Sequence, residues 1–180
     1  MLIILGGLPA SGKTTIARAL ATHFGAVHIR IDTIEQRLRD LPGMKDHVGE
    51  AGYRVAYGVA EDNLRVGGHV VADSVNPLAI TRAAWRAVAD RAKVPFIEIE
   101  IVCRDANEHR HRAESRISDI AGLVAPRWQS IVARDYEAWV EEHRIIDTAG
   151  RTVGDVIDEA IAIVAGAPGG GDAGAGVTRR

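Results

Sequence analysis

Hydrophobic and polar positions along the chain alternate between short β-branched runs and longer stretches with helical spacing. Leu2–Leu5 reads as a buried strand, followed by a Gly-rich turn and a helix from about Gly12 to Phe24. Val27–Ile31 predicts a second strand, and a helical pattern then runs from Thr33 to about Leu41, where Pro42-Gly43 breaks it. The helix predicted over Val48–Val66 stops at Gly67-Gly68, where a left-handed cap forms most easily. His69–Ala72 reads as a third strand, with a helix after Pro77 to about Ala92, and Phe96–Val102 as a fourth. Asp105–Ser118 predicts a charged helix, and Pro126–His143 another that opens with proline in its first turn. Arg144–Ile146 is a short fifth strand, and Val153–Ala165 a terminal helix. Five short strands separated by helices predict an α/β domain with a mostly parallel sheet.

Residues 1–165 carry this pattern as one domain. Residues 166–180 hold six of the nineteen glycines and no large apolar side chain before Val177. Such a segment does not offset its ordering entropy and is expected to be a flexible tail.

Composition narrows the function classes. With 180 residues, 47% hydrophobic and 26% charged, the chain suits one globular domain with a full core and excludes wholesale disorder. No apolar run approaches the roughly 20 residues of a membrane helix, and the five-residue apolar opening lacks the basic flank of a signal peptide. One cysteine, Cys103, rules out an internal disulfide, so a reducing cytoplasm is the default compartment. A net charge of −2 argues against an obligate nucleic-acid partner. Three lysines stand against nineteen arginines, so anions are expected to be gripped mostly by guanidinium forks.

Gly7-Leu8-Pro9-Ala10-Ser11-Gly12-Lys13-Thr14 matches the phosphate-loop pattern GxxxxGK(S/T), directly after a predicted strand and opening a predicted helix. Glycines let the backbone wrap an anion with its N–H groups turned inward, and the helix N-terminus adds partial positive charge. Lys13 is placed to reach the β- and γ-phosphates and Thr14 to put its hydroxyl on Mg²⁺, with Thr15 beside them. The motif predicts a nucleoside triphosphate site, with no base-specific signal to separate ATP from GTP.

Two carboxylates close predicted strands. Asp32 ends the second, where open α/β sheets place ligands, and a carboxylate there can take a proton from an attacking hydroxyl. The same residue also suits an N-cap for the helix that follows. An alcohol acceptor gains from that carboxylate, whereas an already anionic nucleoside monophosphate is repelled by it. Asp73 closes the third strand in the Walker-B manner and suits a Mg²⁺ shell or, again, a helix cap.

The loop near the N-terminus, the Asp after the second strand, the Asp ending the third, and the Arg-bearing segment Glu108–Arg116 together resemble P-loop small-molecule kinases. That group includes gluconate kinase, shikimate kinase, chloramphenicol phosphotransferase and the kinase domain of polynucleotide kinase, with relatives labelled AAA-family ATPases. The resemblance covers roughly residues 1–165. It implies a P-loop NTPase three-layer sandwich, a five-stranded parallel sheet with the phosphate-loop strand at its centre, and a helical lid over ATP. It makes Asp32 the acceptor-side base and allows Asp73, with Asn76 nearby, an acceptor contact instead of a metal role. Arg112 and Arg116 would clamp the transferring group, with Arg110 a nucleotide contact. The alternative for this segment is a solvated helix with Glu108–Arg112 as an i,i+4 pair. The turn at Asp147-Thr148 would border the adenine, or simply be a turn. Tyr53, Arg54, Tyr57, Arg37 and Arg39 are candidate walls of the acceptor pocket, and Trp85, Trp128 and Trp139 are read as packing residues.

The expected function is an ATP- and Mg²⁺-dependent kinase acting on a hydroxyl of a small molecule. The alternatives are a 5′-hydroxyl nucleic-acid kinase and a non-catalytic nucleotide-binding switch.

Overall fold

The computed structural model describes residues 1–44 and 48–170. Strands β1 (Leu2–Gly6), β2 (Val27–Arg30), β3 (Val70–Asp73), β4 (Phe96–Val102) and β5 (Arg144–Asp147) form one parallel sheet in the order β2-β3-β1-β4-β5. The phosphate-loop strand therefore lies at the centre, and every residue of β1 is buried. An all-parallel sheet needs cover on both faces. Ile3 and Leu5 point to one face, where α1 (Lys13–Phe24) and α7 (Val153–Ala165) cover them with Ile16, Leu20, Val156 and Val164. Leu2 and Ile4 point to the other, under α3 (Ala51–Arg65) and α4 (Ala79–Ala92), with Ala56, Leu64, Trp85 and Val88. Among the described residues, no helix is long and apolar enough to cross a membrane.

β4 departs from a plain buried strand. Ile97, Ile99 and Ile101 join the first core, while Glu98 and Glu100 face the other side. There Glu98 takes both oxygens to Arg86 Nη1 at 3.1 Å, and Glu100 accepts from Tyr136 Oη at 2.8 Å. Burial pushes the Glu98 carboxyl up, against the pull of Arg86.

Element boundaries follow local chemistry. Gly25 takes a left-handed φ of 60° to close α1, and Asp105 caps α5 (Ala106–Ser115) by accepting from the N–H groups of Asn107 and Glu108. α5 ends three residues before the sequence pattern predicts, and α3 starts three residues later than predicted. α2 (Ile31–Arg39) begins at Ile31, so Asp32 sits inside its first turn and makes no cap bond. Asp73 caps no helix either, because α4 begins at Ala79 behind Leu78.

The predicted helix over 126–143 is the main correction. Only Trp128–Val132 is helical (α6), and the chain then runs irregularly to β5. The carbonyls of Glu137 and Ala138 accept from the Arg82 guanidinium, and the Glu137 N–H donates to Pro77 O at 2.8 Å. Helical spacing of the apolar residues is outweighed by these anchors on the sheet side. Residues 166–170 turn back so that Gly169 meets Pro95, and Gly170 is buried; residues 171–180 lie outside the described residues.

Candidate active site

The phosphate loop joins β1 to α1, and its shape follows from three residues with positive φ. Gly7 (129°), Ala10 (67°) and Gly12 (103°) turn successive peptides the same way round. Gly7 is the position that tolerates no side chain, since a Cβ there would lie 2.0 Å from Ile101 O. The loop is pinned by its own neighbours. The Gly7 N–H donates to Val75 O at 3.0 Å, and the Asn76 side-chain amide donates to Leu5 O at 2.8 Å. Ser11 is 1% exposed, and its hydroxyl has no partner among the described residues.

Lys13 is buried, with Nζ donating to Leu8 O at 2.8 Å. Burial pulls its pKa from the ordinary 10.5 to about 8; Asp73 and Asp32 hold it up, while Arg116 and Arg134 push it further down. An ammonium there, flanked by Arg116 and Arg134 as well as by the two carboxylates, is chemically able to meet an anion.

Asp73 is 3% exposed and accepts from His28 Nε2 at 3.1 Å. Burial raises its pKa, but His28, Lys13 and Thr14 together outweigh that and hold it below the ordinary value. Asp73 therefore stays ionised beside the Thr14 hydroxyl, a pair of hard oxygen donors of the kind Mg²⁺ takes alongside phosphates. Asp32 lines the cavity over the loop, half-buried, and accepts no hydrogen bond from any described residue.

That cavity, of about 1100 Å³, opens over the loop and also takes in Tyr53, Arg39, Arg116 and Arg134. A second hollow of about 260 Å³ lies behind Gly12, between Arg112, Thr148, Arg151 and Val156. Thr148 is the hinge of this part: Oγ1 reaches both Ser11 O and Val102 O at 3.0 Å and accepts from Arg112 Nη1 at 2.8 Å.

The sequence-predicted residues separate here. Gly7 through Thr15, Asp32 and Asp73 converge on the loop, and Thr148 borders the second hollow. Arg112 touches both hollows, but its guanidinium is held by Glu108 Oε1 at 2.5 Å and by Thr148. Arg116 is the C-cap just past the end of α5 and faces the large cavity with no carboxylate at ion-pair distance among the described residues. Arg110 points elsewhere, paired with Glu114, and lines neither hollow. On the acceptor side Tyr53 and Arg39 line the cavity. Tyr57 stacks edge-on against Trp85, Arg54 pairs with Glu50, and Arg37 with Asp40.

Three residues escaped sequence reasoning. Arg134, from the segment misread as helix, faces the cavity and acts electrostatically on Lys13. His109, 6% exposed, holds Pro9 O at 2.8 Å through Nε2 and packs edge-on against Trp128. Arg30 ends β2 two residues before Asp32, a spacing that was available as a signal.

Comparison with known proteins agrees with this fold. The chain belongs to the AAA domain family, whose model matches residues 2–124, and it carries a kinase-like P-loop domain. It is 33% identical over 103 residues to the adenylyl-sulfate kinase of Myxococcus xanthus, a match covering 54% of this chain and 55% of that one. The chain thus aligns with about half the length of this relative. In fold it is similar to the Mycobacterium tuberculosis APS kinase CysC, solved with AMPPNP and APS, at a TM-score of 0.63 and 20% identity over 90% of this chain and 95% of that one. A gluconokinase from Sinorhizobium meliloti shares the fold at a TM-score of 0.59 and 16% identity, over 89% of each chain.

Proposed function

We propose that this protein is a kinase that uses ATP and Mg²⁺ to phosphorylate a hydroxyl group of a small molecule. The observation that carries the reading is Asp32, a carboxylate without a hydrogen-bond donor among the described residues, on the wall of the cavity that Lys13 also lines. Backbone N–H groups of the loop after Pro9 and the α1 N-terminus cradle the phosphates, and Lys13 exchanges Leu8 O for phosphate oxygen. Thr14 and Asp73 would hold the metal, which would supply neutralisation of phosphate charge. Asp32 accepts the proton of the incoming hydroxyl and orients its oxygen. An accepting oxygen that was already anionic would meet repulsion from Asp32, so a neutral hydroxyl fits better. Arg116 and Arg134 face the space where charge develops on the transferring group.

The test is transfer of terminal-phosphate label from ATP to a panel of sugars, nucleosides and aminoglycosides, with Asp32→Asn alongside. The Asn variant is expected to keep Mg·ATP affinity and to lose roughly 10²–10⁴-fold in transfer. Unchanged transfer removes Asp32 from the mechanism.

A further inference from the structure

The segment after α5 sends one carboxylate across the cavity. Asp119 accepts from Arg30 Nη1 at 2.9 and 3.0 Å and also from Arg18 Nη2. The three residues come from the post-α5 loop, the end of β2 and the outer face of α1. All three line the large cavity.

The two ends of this contact are unlike. Arg30 is 7% exposed, and its Nε has no hydrogen-bond partner among the described residues, with Asp73 Oδ2 3.9 Å away. Asp119 is 45% exposed, on a loop whose apolar Ile117 and Val124 also face the cavity, 92% and 87% exposed. A buried guanidinium needs an anion against it, since stranding it costs several kcal/mol. Asp73 reaches only the Nε end, at the limit of ion-pair distance, and the anion hydrogen-bonded at Nη1 is borrowed from a solvent-facing loop.

We propose that Arg18 and Arg30 form a subsite for an anionic group of the acceptor (carboxylate, sulfate or phosphate), and that Asp119 is its internal occupant, displaced when the acceptor binds. Exchange of one anion for another keeps Arg30 paired and returns Asp119 to water. A neutral acceptor leaves Asp119 in place. Guanidinium forks suit this task because they meet a planar or tetrahedral anion with two parallel N–H groups. The inference rests on the kinase reading and refines it: the acceptor carries its charge at Arg30 and offers a neutral hydroxyl to Asp32, two residues further on.

The test uses the whole protein with its phosphate loop first saturated by Mg·AMPPNP, whose binding is measured separately. Inorganic sulfate is then titrated at constant ionic strength, read as a shift in melting temperature, with acetate in parallel to separate a tetrahedral from a carboxylate preference. Asp119→Asn removes the competing charge and is expected to tighten apparent sulfate or acetate affinity about tenfold or more. Arg18→Met and Arg30→Met are expected to weaken it by a similar factor. Arg18 is exposed, so its variant carries the test if loss of Arg30 prevents folding. Anion affinity equal in wild type, Asp119→Asn and Arg18→Met, or no anion effect in Asp119→Asn, overturns the subsite while leaving the kinase reading intact. Failure to bind Mg·AMPPNP strikes the kinase reading instead.

Discussion

The ring of His109 and the carbonyl of Pro9 meet at 2.8 Å, which ties the helix after β4 to the outer bend of the phosphate loop. The contact is buried, and Trp128 closes over the ring from the other side. A loop that must present several N–H groups to phosphate at once gains from any bond that narrows its range of shapes. His109→Ala is expected to lower stability by about 1–3 kcal/mol by leaving Pro9 O unpaired, and to raise the Kd for Mg·ATP severalfold. His109→Gln, which can still donate, should recover much of both. Denaturant melts and calorimetric titration of the pair of variants measure this.

Proton uptake on nucleotide binding follows from Lys13. Its pKa near 8 in the free protein lies below the ordinary 10.5, so between those values the unfolded chain holds more protons than the folded one. Stability of the nucleotide-free protein should therefore gain a contribution as pH rises from about 8 to about 10.5. That slope is absent in Lys13→Met. Below about 8 both states are protonated, and the full cost of burying the ammonium stands. Polyphosphate restores the proton, so binding at pH 8 should take up about half a proton. Calorimetry in buffers of different ionisation enthalpy reads it directly.

Arg134 and Arg112 should fail differently. Arg134 faces the cavity unpaired among the described residues, whereas Arg112 is committed to Glu108 and Thr148 beside the smaller hollow. Arg134→Ala is expected to reduce kcat by about 10²-fold or more with little change in nucleotide Kd. Arg112→Ala should chiefly raise the KM for ATP, because it loosens the turn at Thr148. Steady-state kinetics on any competent acceptor separates the two.

Gly6 leaves room for Trp139. A Cβ at Gly6 would lie 2.3 Å from Trp139 Cζ2, and that ring is held by Arg82 against one face at 4.9 Å and by a bond from Nε1 to Tyr136 Oη at 2.9 Å. Gly6→Ala is expected to cost about 1–3 kcal/mol and, by shifting the 133–143 segment, to reduce turnover through Arg134. Adding Trp139→Leu should restore most of the stability without restoring the turnover. Urea denaturation beside activity assays checks both halves.

Much of this architecture was readable from the sequence. The strands were legible because a parallel sheet covered on both faces demands unbroken apolar runs, as in Leu2–Leu5, and the loop because its glycines answer to phosphate geometry. The 133–143 segment was not, since what decides it is a long-range bond from Arg82 to carbonyls 55 and 56 residues away. Local spacing contains no trace of that bond. Arg134 was lost with it. The bond from Arg30 to Asp119 was hidden for a related reason: 89 residues separate the two, and Asp119 alone looks like ordinary surface charge.

The alternation of Ile and Glu along β4 has a consequence for how the chain finds its fold. Were β4 to slip by one position against β1, both acids would be driven among Ile3, Leu5 and Ile146, far from Arg86 and Tyr136. Each stranded carboxylate would cost several kcal/mol, enough to melt the misaligned sheet before it consolidates. The strand thus carries its own proofreading, and replacing Glu98 and Glu100 together by leucine should yield a protein that collapses readily but settles into mixed alignments.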